Sequence, residues 1–99
     1  MNVFWTEPAL TRREESLDYI EAENAPAAQR MEVRVVDTIR MLADHPLAGR
    51  AGRIASTRQF AVPQSPFLIV YKVDRDRDVL TIVAVFDGRR RWPKAFPRE

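Results

Sequence analysis

The side chains able to do chemistry in this sequence are nearly all guanidinium groups. Arg50 and Arg53 sit in the glycine-bearing stretch Pro46–Ser56, and Arg58 opens a branched and aromatic run. Lys72 lies in a second such run, and Arg89, Arg90 and Arg91 follow Gly88 directly before Trp92. Arginine holds its donors in a rigid fork that matches phosphate or carboxylate, so the set reads as an anion-binding surface. Acids and bases to accompany it are few. His45, the single histidine, precedes Pro46 at the end of a helical pattern, a place for capping or for solvent. Asp87 stands beside three arginines, which hold a carboxyl below its ordinary range. It therefore reads as an ion-pair partner before a general base. Tyr71 falls mid-strand and reads as half core, and Tyr19 falls on an acidic helix. With no cysteine and one histidine, neither a thiolate nor a multi-histidine metal site is available. No cofactor is implied.

The charge is unevenly spread. Residues 1–49 hold 5 Lys/Arg against 9 Asp/Glu, and residues 50–99 hold 11 against 5, so a net of −4 is followed by +6. An anionic partner for the second half follows from that asymmetry. Arginine outnumbers lysine 14 to 2, which fits either bidentate recognition or a GC-rich genome. A composition of 45% hydrophobic and 30% charged residues is that of a globular protein, and 99 residues make one domain with one modest core. No apolar stretch approaches the roughly 20 residues of a membrane span, which leaves no membrane role. The N-terminus lacks the basic and apolar regions of a signal peptide, so a cytoplasmic location is expected.

These groups need elements to position them. Val3–Thr6 reads as a short strand. A first helix starts at Glu7-Pro8, with Thr6 a candidate cap, and runs to about Glu23. Leu10, Leu17 and Ile20 share one face of it, with Arg13 and Asn24 at the margin. After the break Asn24–Pro26, a second helix runs to about Asp44 with Ala28, Met31, Val35, Ile39 and Leu42 in a buried stripe. Val33, Val36 and Met41 widen that apolar surface, as core or as a docking face. Pro46–Ser56 reads as a loop, and Thr57–Val62 as a strand with Arg58, Phe60 and Val62 on one face. Strands Phe67–Val73 and Val79–Phe86 flank the charged tip Asp74–Asp78. The last strand has apolar residues at both parities, as in a central strand or one covered by another chain. The layout is β-α-α-β-β-β, an α+β fold with a helical hairpin on one face of a mostly antiparallel four-stranded sheet.

Several motifs resemble the RelE/ParE superfamily of small toxins. In GRAGRIASTRQFAVPQSPFLIVYKVD (residues 49–74) a glycine- and arginine-bearing loop leads to a Thr-Arg pair. A Val-Pro-x-x-Pro turn and an aromatic-led strand follow. VLTIVAVFDGRRRWP resembles the family's last strand and its Gly-Arg-Arg close, and the start Trp-Thr-Glu-Pro-Ala is also similar. The sequence departs from the pattern at three places. Asp87 stands where histidine is frequent, Gln59 where an acid often follows Thr-Arg, and Arg91 where an acid precedes Trp-Pro.

The resemblance implies the toxin of a type II toxin–antitoxin pair, ParE-like more than RelE-like. ParE-like members act on DNA gyrase, whereas RelE-like members cut mRNA on the ribosome. Cleavage through the 2′-hydroxyl needs a base, an acid and positive charge on the phosphorane. Here Arg58, Arg90 and Asp87 would be the nuclease set. Arg58 leads because a strand supports it, although its stem could equally cover the core edge with its head in water. The thin supply of acids and bases favours a toxin that binds rather than cleaves; a member that has lost toxicity is a further reading. Target or phosphate binding is expected from Arg50, Arg53, Arg58, Lys72, Arg89, Arg90, Arg91 and Trp92. The basic end could also receive an acidic antitoxin segment, or be a frayed terminus held by Trp92. A cognate antitoxin that folds on binding, giving a hetero-oligomer, is expected at Leu17, Ile20, Val33, Val36, Met41 and Phe86.

Overall fold

Two helices lie against one face of a five-stranded mixed sheet. The computed structural model describes residues 1–88, with Phe86 by its backbone alone. The elements are β1 (Asn2–Trp5), α1 (Glu7–Glu23), α2 (Ala25–Asp44), β2 (Arg50–Ala51), β3 (Arg58–Ala61), β4 (Phe67–Asp74) and β5 (Val79–Asp87). The sheet order is β1-β5-β4-β3-β2. β1 runs parallel to β5 and the other pairs are antiparallel. The α+β layout is as expected, with five strands in place of four. The extra strand, β2, lies inside the stretch read as loop. Arg50 pairs with Gln59 and Ala51 with Arg58, and the Gly52 N–H donates to the Thr57 carbonyl at 2.8 Å. Two residues are too few for any alternation to mark them.

The helices start and stop on side-chain caps. The Thr6 hydroxyl accepts the Ala9 N–H at 3.3 Å, with Pro8 in the first turn of α1. Asn24 alone joins the helices. Its N–H donates to the Ile20 carbonyl at 2.8 Å and its Oδ1 accepts the Ala27 N–H at 3.1 Å. Ala28, Val35, Ile39 and Leu42 bury the stripe of α2 as its spacing predicts. The stripe of α1 differs from expectation. Its buried residue is Ala9, while Leu10 is 39% exposed and Leu17 and Ile20 are half-buried. A small residue there lets the first turn of α1 lie directly against β5. Arg13 sets its guanidinium over the Trp5 ring, 5.0 Å from the centroid, and pairs with Glu32 of α2.

The mixed parity of β5 has a local cause. Val70 pairs with Ala84 and Tyr71 with Ile82, so Val83 is a bulge. The inward set therefore changes parity, from Leu80 and Ile82 to Val85. These pack with Ile69, Tyr71, Phe67 and Val62 under the helices. On the other face Ile54, from the loop before β3, packs on Val70 and Ala84. The chain's own loop thus covers that part of the sheet. Among the described residues no helix is long and apolar enough to cross a membrane.

Candidate binding site

The candidate site is the loop around β2, and the sheet holds it from behind. Tyr71 is fully buried on β4. Its hydroxyl donates to the Pro46 carbonyl at 2.8 Å and accepts the Gly49 N–H at 2.9 Å. Arg58 Nη1 donates to the Gly49 carbonyl at 2.7 Å and the Leu47 carbonyl at 3.4 Å. Further along, Gln59 Oε1 accepts the Arg53 N–H at 2.7 Å, and the Thr57 hydroxyl donates to the Ile54 carbonyl at 2.6 Å. Four side chains from β3, β4 and the turn between β2 and β3 thus fix residues 46–57. A Cβ on Gly52 would run into Thr57 Oγ1, so glycine is required at that approach.

The loop presents Arg50 and Arg53, both exposed. With Ala51, Gly52, Gln59, Leu68 and Gly88 they line a groove of about 490 Å³. Its only ionisable lining side chains among the described residues are the two arginines. It can hold an anion, and none of the described residues lining it is a carboxylate, histidine or tyrosine that could move a proton.

The sequence-derived candidates fall in several places. Arg50 and Arg53 come together at one groove. Arg58 spends its Nη1 on backbone carbonyls behind the loop and does not line the groove. Tyr71, read as half core, is wholly core. Lys72 is exposed on the sheet and does not line the groove. Asp87 lines a separate cleft with Arg12, Glu15, Ser16, Tyr19, Ile20 and Phe67, so it is not gathered with Arg58. His45 is exposed, and its N–H closes α2 on the Met41 carbonyl at 2.8 Å. Arg89, Arg90, Arg91 and Trp92 lie outside the described residues, beyond Gly88 at the groove's wall. The residues read as a docking face are dispersed. Val33 is exposed beside Pro26 and Arg30, Leu17 lies in the seam between the helices, and Ile20 lies in the Asp87 cleft. Met41 packs on the core and Val36 is half-buried. For Phe86 the backbone pairs with Leu68. Gln59 and Leu68 went unnoticed as groove residues. The one available signal was Gln59 replacing an acid after Thr57-Arg58.

Burial pushes the Tyr71 hydroxyl above its ordinary range, and the Gly49 N–H and the Arg58 charge offset this in part. The neutral phenol belongs to the fold. Below the unfolded value, near 10, both states hold the proton and the stability is intact. Above it the unfolded chain ionises first, so stability falls until pH passes the folded value. The expected slope is at most about 1.4 kcal/mol per pH unit. Urea melts between neutral and strongly alkaline pH should show it, and Tyr71→Phe should remove that part of the decline.

The family profile described as "ParE toxin of type II toxin-antitoxin system, parDE" matches residues 3–92. A protein of Sinorhizobium fredii named "Putative toxin Y4kP" is 37% identical over 90 residues, covering 91% of each chain. Among solved structures, a chain of the chromosomal ParDE system of P. aeruginosa superimposes with a TM-score of 0.75 at 19% identity, over 88% of this chain and 95% of that one. The YoeB/ParE toxin from Agrobacterium tumefaciens gives 0.61 at 19%, over 88% and 98%. A chain of the intact E. coli RelBE toxin–antitoxin complex gives 0.58 at 14%, over 90% and 98%. At these identities the structural likeness concerns the fold.

Proposed function

The chain belongs to the ParE toxin family of type II toxin–antitoxin systems, and from that premise we propose that it inhibits DNA gyrase by binding and is neutralised by a cognate antitoxin. The observation that carries this reading is the groove of Arg50 and Arg53, which offers positive charge and, among the described residues that line it, no carboxylate, histidine or tyrosine. A nuclease needs proton transfer at the scissile phosphate. The Tyr71 hydroxyl already makes its two bonds to Pro46 and Gly49, and Arg58 Nη1 is held by carbonyls. Neither is poised for chemistry. A binding toxin needs only a firm surface with guanidinium anchors, and the four-point attachment of residues 46–57 provides that support. Action on gyrase places the protein in the cytoplasm.

An antitoxin partner fits the exposed parts of the fold. Chains of similar fold come from a ParDE system and a RelBE toxin–antitoxin complex. β1 is an edge strand without lysine, proline or bulge to blunt it, so an extended segment could pair along it. Phe4 and Val33 are 61% and 58% exposed, apolar surface that a segment folding on contact would cover. The test is supercoiling of relaxed plasmid by purified gyrase. Micromolar chain should block it, and an equimolar antitoxin should restore it. Undiminished supercoiling would refute the reading.

A further inference from the structure

Both polar groups of the Gly49 backbone are taken by side chains from the sheet. Its N–H donates to the Tyr71 hydroxyl at 2.9 Å, and its carbonyl accepts from Arg58 Nη1 at 2.7 Å. The Tyr71 hydroxyl and the Gln59 carbonyl also leave no room for a Cβ at this residue. Gly49 is buried and Arg50, the next residue, is exposed. Arg50 is therefore where the chain passes from a fixed peptide to the groove. Its pairing opposite Gln59 fixes its backbone from the other side. Among the described residues the Arg50 guanidinium has neither a hydrogen bond nor an ion pair. Its direction is thus set by the backbone it leaves, and that backbone is set by Tyr71 and Arg58.

We infer that Tyr71 and Arg58 are positioning residues for target binding, which clamp Gly49 so that Arg50 meets an anionic group of the target without reordering the loop. The inference rests on the reading of the chain as a toxin that acts by binding. Tyr71 is fully buried, so it reaches no partner and acts through the peptide alone. Arg58 has the residue type of a phosphate contact, yet its Nη1 points at the carbonyls of Gly49 and Leu47. A surface fixed before encounter keeps the binding energy that a loose loop would lose in becoming ordered. Freeing one residue's backbone and fixing it again on the target corresponds to about a tenfold loss of affinity.

The experiment is a double-mutant cycle on the full chain, with inhibition of gyrase supercoiling expressed per folded molecule. Arg50→Ala removes the anchor and should weaken inhibition about 30-fold. Tyr71→Phe deletes one buried oxygen, alters no charge, and should weaken it about tenfold. Tyr71→Phe added to Arg50→Ala should cost less than about twofold more, because the anchor that the clamp positions is already gone. A role in stability alone would not give that coupling. Ile39→Val, a core change on α2, should leave inhibition per folded molecule unchanged in either background. Should Tyr71→Phe not fold, Arg58→Met takes its place in the cycle, keeping the stem and removing the donors. Wild-type potency in the clamp variant, or clamp and anchor factors that multiply, would overturn the inference. The same chains are expressed without antitoxin and scored for the inducer level that arrests growth. Arrest by the wild type with supercoiling unaffected removes gyrase as the target, and the cycle is then read from the inducer level. Inhibition of gyrase with multiplying factors removes the positioning role alone. A wild type that neither inhibits gyrase nor arrests growth would overturn both.

Discussion

Replacing Gly49 by alanine is expected to destabilise the protein by about 2–6 kcal/mol, a large share of what a domain of this size possesses. The added Cβ would lie 2.5 Å from the Tyr71 hydroxyl oxygen and 2.8 Å from the Gln59 carbonyl oxygen. Neither obstacle can step aside cheaply. The Tyr71 ring is fully buried among Leu42, Ile82 and their neighbours, and the Gln59 carbonyl is backbone of β3. The loop must therefore move, and its movement breaks the Gly49 N–H bond to Tyr71 and the Arg58 bond to the Gly49 carbonyl. Overpacking contributes about 1–3 kcal/mol and stranded buried polar groups about 1–3 more. Urea denaturation gives the value from the midpoint at unchanged m. A midpoint equal to that of the wild type would mean that the loop is far softer than its bonds imply.

The second large effect concerns function without fold. Arg50→Glu combined with Arg53→Glu should raise the concentration needed to inhibit gyrase by about 1,000-fold. Arginine anchors in an interface carry about 2 kcal/mol or more each, and 1.4 kcal/mol is a factor of ten. The Arg53 N–H that bonds Gln59 is backbone and survives the change. Both side chains are exposed, so thermal unfolding should change little. Arg75→Glu, at the exposed tip between β4 and β5, makes the same kind of charge change elsewhere and should alter inhibition less than about threefold. Equal losses at both places would reduce the groove to a general electrostatic effect.

Much of this molecule can be read along its sequence, and the exceptions share a physical origin. The stripe of α2 and the β4–β5 hairpin were legible because periodicity and a charged tip are properties of contiguous residues. Asn24 and Thr6 announced helix ends because caps act over three residues. β2 escaped because two residues carry no period. The inward set of β5 escaped because the bulge at Val83 shifts parity without changing composition. Ala9 was passed over for Leu10, since hydrophobicity favours leucine while close contact with β5 favours a small side chain. In the site, residue type was legible and direction was not. Arg50 and Arg53 were marked by the basic, glycine-bearing loop. The inward turn of Arg58 depends on the Gly49 carbonyl arriving from another strand. Tyr71 became a latch only through the same approach, and Gln59 joined the groove wall only once the Arg53 N–H was folded over its Oε1.

Binding and cleavage leave different traces in cells. The chain is expressed without antitoxin, and plasmid topology and mRNA 5′ ends are followed in the same culture. Relaxation of the plasmid with growth arrest and unaltered mRNA ends is the predicted result. Codon-positioned mRNA cuts with supercoiling preserved would contradict it.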